Sequence, residues 1–443
     1  MSVITRFAPS PTGLLHIGNI RTALICYLFA KHNNGKFMLR LDDTDIERST
    51  TAFADSILED LKWVGINWDI FAKQSERLTR YKEIVEQLIK IGRLYPCYET
   101  AEEIEIKRKM LLNRGKPPIY DRAALKLTKD EIEQLDKSGK EKHWRFKLND
   151  NEVIKWHDLI KGEISFKSEN LSDPVLIRAN GSPTYMLPSV IDDIDYNITN
   201  VIRGEDHVSN TAVQIQIFAA LGAKIPEFAH HSLMKTTEGK ISKRKGGYSI
   251  CTMREEHIEP MAICSLMSKL GSSEPVVAVT DMQKLGQEFN LKSFGKAAAI
   301  YDHEDLKKLN SKIIHSFTYA EIKHREELKN ITEDFWAAVK DNINQLNEIQ
   351  TWYKICKENI TPIMDDLEYT KQAALLLPNE PWDYNTWNLW IDAIKAKTNR
   401  KGKELFMPLR KALTAEEHGP ELKFILPLIG RDRALSRLNG NIS

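Results

Sequence analysis

Residues 7–21 read FAPSPTGLLHIGNIR. A short β-type run, Val3 to Phe7, leads into two prolines and a glycine, and Ile20, Ala23, Leu24, Tyr27 and Leu28 then recur at helical spacing. That is a strand, a tight turn and a helix start. Such a junction aims unpaired backbone N–H groups and the positive end of a helix dipole at whatever lies above the strand, a setting suited to phosphate. His16 and Asn19, three apart on the first turn, would flank that position. Gly18 adds no side chain, so a flat base could lie close against the backbone. Taken alone, the stretch fits equally well a proline-rich turn before an ordinary buried helix, with His16 a hydrogen-bonded core histidine.

A second element shifts the balance. Residues 239–247 read GKISKRKGG, with Lys240, Lys243, Arg244 and Lys245 between glycines. A basic run is usually a solvated face or a nucleic-acid patch, but glycine on both sides suggests a loop that can close on an anion.

The two motifs together resemble the paired signatures of class I aminoacyl-tRNA synthetases, HIGN at 16–19 standing for HIGH and KISKR at 240–244 for KMSKS. RFAPSPTG at 6–13, RLDDTD at 40–45 and VIRGEDH at 201–207 are similar to glutamyl-tRNA synthetases in particular, and the likeness continues to LRKALT at 409–414. Either short motif alone is weak; several in order over nearly the whole chain are specific.

At 443 residues and 50.9 kDa the chain has room for about three domains. Hydrophobic residues at 42% and charged residues at 28% give the balance of a soluble globular protein. No apolar run approaches the ~18 residues of a membrane span, and the first seven residues lack the pattern of a signal peptide. A cytoplasmic protein without membrane contact is expected. Net charge is only +1, so RNA binding has to come from local asymmetry. The five cysteines, Cys26, Cys97, Cys251, Cys264 and Cys356, form no CxxC pair and point to reduced thiols.

Along the chain, Asn33-Asn34-Gly35 is a stop signal and residues 36–41 read as the second strand. Asp42, Asp43 and Asp45 follow at its carboxyl end, where open α/β sheets bind ligands. Asp45 reads as a helix cap, with Thr50 and Thr51 as further starts for a helix over 52–63, and Asp42 as the better substrate candidate. Residues 75–91 have helical period. The composition then turns charge-rich from 97 to about 173, including five basic and no acidic residues from Lys107 to Lys116, either an exposed helix face or an RNA contact. The sheet is expected to resume at 174–178 and to continue through 183–187, 201–203 and 228–230. Beyond Cys251 the pattern is helical, and aromatics near Trp336, Trp352, Trp387 and Trp390 read as core.

The expected fold is therefore an α/β Rossmann-like catalytic domain split over 1–96 and 174–250, an inserted α+β domain at 97–173, and an all-α C-terminal region. The resemblance implies that the insertion binds the tRNA acceptor stem, that 251–312 is a helical connection, and that 313–443 binds the anticodon.

The resemblance also implies the chemistry. The α-carboxylate of L-glutamate attacks the α-phosphate of ATP, carried with Mg²⁺, and a terminal ribose hydroxyl of tRNA(Glu) then attacks the glutamyl-adenylate. Positioning and charge neutralisation are what such steps need. Matching positions make His16, Asn19, Lys240 and Lys243 catalytic, and His16, Gly18, Asn19, Ser242 and Lys243 ATP-binding. Arg6, Ala8, Ser10, Asp42, Tyr185 and Arg203 would hold glutamate, arginine giving a carboxylate a bidentate partner and Asp42 taking the ammonium. Without the resemblance, Arg203 would pair with Glu205 or Asp206.

Three departures stand out. Asp42 is one methylene shorter than the family's usual Glu, Ser189 replaces an asparagine found in some relatives, and of the positions of a zinc site known in some bacterial members (Cys97, Glu99, Ala124) only Cys97 keeps a cysteine. No zinc is expected. Relatives that discriminate between tRNA(Glu) and tRNA(Gln) use an arginine in the first part of the anticodon domain, and VKDNINQLNE at 339–348 has none. Charging of tRNA(Gln) as well is expected, unless Lys340 substitutes. A monomer is expected. The rival readings are a non-catalytic tRNA-binding paralogue and an enzyme that glutamylates a modified tRNA base.

Overall fold

The computed structural model describes residues 2–45, 47–236, 239–240 and 248–443, the side chains of 239 and 240 excepted. Two compact units divide the chain, Met1–Met253 with Ile263–Asp302, and Arg254–Ala262 with His303–Ser443.

The first unit opens with β1 (Ile4–Phe7), α1 (Ile17–His32), β2 (Lys36–Leu41), α2 (Thr51–Val64), β3 (Ile70–Lys73) and α3 (Leu78–Lys90). Helix α1 is apolar on nearly every side and is buried accordingly, with Ile17, Ile20, Leu24, Ile25 and Leu28 wholly inaccessible. Thr50 caps α2, its hydroxyl accepting from Phe53 N at 3.2 Å, and Gly65 ends that helix in the left-handed region at φ 90°. Asp45, expected as a cap, instead accepts from the backbone N–H and side chain of Arg48.

The chain continues through β4 (Leu94–Cys97), α4 (Ala101–Asn113), α5 (Lys129–Lys137), β5 (His143–Phe146), β6 (Val153–Asp158), β7 (Gly162–Lys167), β8 (Val175–Ile177), α6 (Met186–Asp195), β9 (Asn200–Gly204), α7 (Val208–Ala220) and β10 (Glu227–His231). Seven strands make the main sheet in the order β3-β2-β1-β9-β10-β6-β7. Every pair in it is parallel except the β6–β7 hairpin. A smaller antiparallel sheet has the order β4-β5-β8. Past β10, β11 (Met234–Thr236) pairs with β12 (Gly239–Lys240) on one side and with β13 (Ala299–Tyr301) on the other.

Two element readings change here. Residues 174–178 do not resume the main sheet: β8 pairs with β5 in the small sheet, and 183–187 holds no strand, because α6 begins at Met186. The main sheet is extended instead from within the 97–173 segment. Strand β6 alternates exposed and buried residues, and Ile154 and Trp156 on its buried face join the same core as Val201, Ile217 and Phe228. A short apolar run cannot reveal which of two sheets it will enter, and an alternating hairpin can dock on either.

The second unit, apart from loops and short turns, is helical. Trp336, Trp352 and Trp390 are buried in it, as their spacing suggests, whereas Trp387, read as core with them, is only half-buried. No helix among the described residues is long and apolar enough to cross a membrane.

The α1–β2 turn shows how tightly the sheet fixes its connections. A Cβ on Gly35 would stand 2.3 Å from the carbonyl oxygen of Val3, which is itself paired to Lys36 N at 2.8 Å. Gly35→Ala is expected to cost the first unit about 1–3 kcal/mol through overpacking. Thermal unfolding followed by calorimetry should show its transition several degrees lower, with an unshifted midpoint as the contrary result.

Candidate active site

A cleft of about 690 Å³ opens at the carboxyl ends of β1, β2, β9 and β10. The strand order runs outward in both directions from the β1–β9 pair, so this is the switch point at which open α/β sheets bind ligands. Of the residues singled out from the sequence, Arg6, Ala8, Ser10, His16, Gly18, Asn19, Asp42, Tyr185 and Arg203 all line it.

At one end, His16 caps α1. Its Nδ1 accepts from the backbone N–H groups of Gly18 at 3.1 Å and Asn19 at 3.3 Å, while Asn19 Oδ1 accepts from His16 N at 3.1 Å. Because Nδ1 is the acceptor, the neutral ring carries its proton on Nε2. Gly18 leaves room for this fold-back, since a Cβ there would lie 3.0 Å from both Cε1 and Nδ1 of His16 and the ring would have to shift. Residues 248–250 return to the same place: Ile17 N donates to Tyr248 O and Ile250 N to Leu15 O, each at 3.0 Å, and His16 bridges Ser249. On the other side of the basic stretch, Met234 and Lys235 line the cleft. Ser242 and Lys243 lie outside the described residues, as does the Lys240 side chain, whose backbone pairs with Lys235.

At the other end, buried arginines gather around two neighbouring aspartates of α6. Asp193 accepts from Arg6 Nε at 3.1 Å and Arg40 Nη1 at 2.9 Å. Arg40 also donates to Asp42 through Nε at 2.7 Å and Nη2 at 3.2 Å, and to Ser189 Oγ at 3.3 Å. Burial raises the Asp42 carboxyl above its ordinary range, with Arg40 pulling the other way. Asp192 lies 3.5 Å from Arg40 Nε but hydrogen bonds to Arg77, Gln74 and Tyr81.

Arg203 differs from the others. It does not pair with Glu205, which takes Lys161 at 2.5 Å and Leu233 N, nor with Asp206, which neighbours His207. Its hydrogen bonds go to neutral groups: Thr211 Oγ1 at 2.7 Å, Gln214 Oε1 at 2.6 Å and His230 Nε2 at 3.4 Å. Burial, with Arg6 nearby, lowers its pKa to about 10, so it remains charged. The Tyr185 hydroxyl accepts from Asn210 Nδ2 at 2.5 Å, over the same part of the cleft.

Sequence reasoning did not single out Arg40, Asp192, Asp193, Thr211, Gln214 or His230. Arg40 sits inside RLDDTD and could have been read as the basic partner of the acidic run. Asp192-Asp193 within an apolar helix was a second signal, because buried charge demands a partner.

This nucleotide-type cleft on a split parallel sheet is that of a class I synthetase. The family model for "tRNA synthetases class I (E and Q), catalytic domain" matches residues 2–308, and an "Anticodon binding domain" model matches 304–442. A glutamate–tRNA ligase 1 of Rickettsia bellii is 52% identical over 442 residues, covering 98% of this chain and 99% of that protein. The corresponding protein of Wolbachia pipientis is 49% identical over 436 residues, covering 98% of each. Among solved structures, a glutamate tRNA ligase from Elizabethkingia meningosepticum in complex with its amino acid superposes with a TM-score of 0.86 at 28% identity, covering 99% of both chains. The chain belongs to the glutamate–tRNA ligase family.

The His16–Gly18 fold-back generates a test. Gly18→Ala should push the imidazole off its seat and lower kcat for adenylate formation at least tenfold, about 1.4 kcal/mol, with the glutamate KM within about twofold. Steady-state kinetics showing an unchanged kcat would remove the fold-back from the chemistry.

Proposed function

We propose that the cleft performs the two-step reaction of the family: glutamate attacks the α-phosphate of ATP, pyrophosphate departs, and the terminal ribose of tRNA(Glu) takes the glutamyl group. His16 Nε2–H, Asn19 and the start of α1 would face the phosphates, with ATP entering as its Mg²⁺ complex and Lys240, Ser242 and Lys243 approaching from the neighbouring segment. The absence of a protein nucleophile from this reading is no defect, because in-line positioning and charge stabilisation are sufficient.

The observation that carries the amino-acid assignment is the set of partners that Arg203 has. Arg6 and Arg40 are tied to Asp193 and Asp42, whereas the buried Arg203 hydrogen-bonds to neutral groups. Glutamate carries one net negative charge at neutral pH and glutamine none. Arg203 and Arg6 would take carboxylate groups, Ala8, Ser10 and Tyr185 would line the substrate, and Asp42 would face the ammonium with the lone pairs Arg40 leaves unused. The shorter Asp42 makes that contact longer or water-mediated.

ATP–pyrophosphate exchange in the presence of tRNA tests this reading. Exchange should depend on glutamate, and Arg203→Lys should raise the glutamate KM at least tenfold by removing the planar group that Thr211, Gln214 and His230 hold in place. Equal exchange with glutamine would overturn the assignment.

The insertion is proposed to receive the acceptor stem and the C-terminal helices the anticodon, in a monomeric cytoplasmic enzyme. A relaxed choice of tRNA is proposed as well. Lys340, the basic residue nearest the missing arginine, is tied through Nζ to His315 O at 3.0 Å, and Asn342 and Asn344 are exposed. Charging of tRNA(Glu) and tRNA(Gln) transcripts in parallel should differ by less than about 100-fold in kcat/KM, roughly 2.7 kcal/mol. A larger preference would overturn it.

No zinc enters this reading. The structure does bring Glu99 and His143 to Cys97, with ligand atoms within 4.8 Å of one another, so three donors meet where the sequence offered one cysteine. A structural zinc takes four. Burial holds the Cys97 thiol up at about 11, and the Tyr120 hydroxyl already donates to Glu99 at 2.8 Å. Elemental analysis of purified protein should find well under one zinc per chain, and one equivalent would refute the assignment.

A further inference from the structure

The buried groups that the reaction does not use include an aspartate and a histidine behind Arg203. Asp158 ends β6 and His230 lies near the end of the neighbouring β10; both side chains are wholly inaccessible. Asp158 Oδ1 accepts three backbone N–H groups, from Ile160 at 3.1 Å, Lys161 at 2.9 Å and His230 at 3.1 Å. Its Oδ2 is left for His230 Nδ1, at 2.5 Å. A carboxylate can only accept, so the ring proton must sit on Nδ1 and the lone pair on Nε2. That lone pair faces Thr211 Oγ1 at 2.9 Å and Arg203 Nε at 3.4 Å, and Thr211 Oγ1 itself accepts from Arg203 Nη2 at 2.7 Å.

We propose that Asp158 and His230 are positioning residues for Arg203, the aspartate fixing the histidine tautomer so that an acceptor, rather than a second donor, meets the guanidinium and helps to hold Nη1 toward the substrate carboxylate. This rests on the reading of Arg203 as a glutamate contact. A histidine protonated on Nε2 would set N–H against N–H and turn Arg203 away. A carboxylate placed directly on Arg203 would orient it equally well, but would occupy the positions the substrate needs. Routing the negative charge through a neutral imidazole orients the arginine without satisfying it. Lys161, the other cation near the pair, is held by Glu205 at 2.5 Å.

Asp158→Asn separates this role from a structural one, because an amide keeps the Oδ1 acceptor for the three backbone groups and replaces only Oδ2 by a donor. In ¹⁵N-histidine-labelled full-length protein, NMR should show His230 as the Nδ1–H tautomer in the wild type and the Nε2–H tautomer in Asp158→Asn. The variant's glutamate KM should rise about tenfold or more while its ATP KM stays within twofold. Thr211→Val, which removes the hydroxyl linking His230 to Arg203, should raise the glutamate KM in the same selective way, but less. A wild-type Nε2–H tautomer would overturn the proposal without any variant. So would a glutamate KM in Asp158→Asn within twofold of wild type, or one that rises in step with the ATP KM. Arg203→Lys serves as the reference: if it leaves the glutamate KM unchanged, the reading of Arg203 fails, and if it alone raises it, the role of the pair fails.

Discussion

Asp193 accepts from Arg6 at the end of β1 and from Arg40 in β2, and the architecture of the cleft depends on that shared carboxylate. Buried ions persist only when paired and hydrogen-bonded, so two adjacent strands of the sheet are tied to one residue of α6. The next residue, Asp192, points to the other side of the helix and ties Arg77, Gln74 and Tyr81. Consecutive residues of a helix face different directions, and α6 uses this to join the strand ends to the start of α3. The same lattice explains why Asp42 is not a free carboxylate: both its oxygens are engaged by Arg40.

The phosphate end obeys a different constraint, one of backbone geometry. His16 closes the first turn of α1 with its own ring, and the space this uses is the space a side chain at 18 would need. The strand bridge between residues 15–17 and 248–250 then brings the chain beyond the basic stretch back to the helix start. Charge near a helix start acts together with the dipole there, and in the proposed reading this is what the two short motifs, weak apart, have in common.

Much of this was legible in the sequence, and the parts that were not share a physical cause. The strand, turn and helix at 3–32, the second strand and the helices at 51–64 and 78–90 follow from local period and capping, and the structure has them. The destinations of β8 and the β6–β7 hairpin depend on tertiary pairing, which local pattern does not encode. The same limit hid Asp158. An aspartate ending an alternating strand reads as a turn residue, and only the parallel pairing of β6 with β10 brings it to His230. The sequence offered Glu205 and Asp206 as partners for Arg203 because they are near in the chain. Lys161, also remote in sequence, claims Glu205 and leaves the arginine to neutral groups.

In the proposed reading, Arg203 is the point at which fold and specificity meet. Burial lowers its pKa only to about 10, so at neutral pH the group keeps its proton, and its hydrogen bonds go to neutral groups. The Phe228 ring, 5.9 Å from the guanidinium carbon, and three neutral hydrogen-bond partners make the state tolerable without cancelling it. In the proposed reading, a ligand carboxylate entering beside Arg203 gains more than a surface ion pair would, because it relieves a desolvation cost already incurred in folding. An amide entering the same place relieves little and leaves the arginine buried and unpaired. In that reading, discrimination between glutamate and glutamine rests on this difference at Arg203.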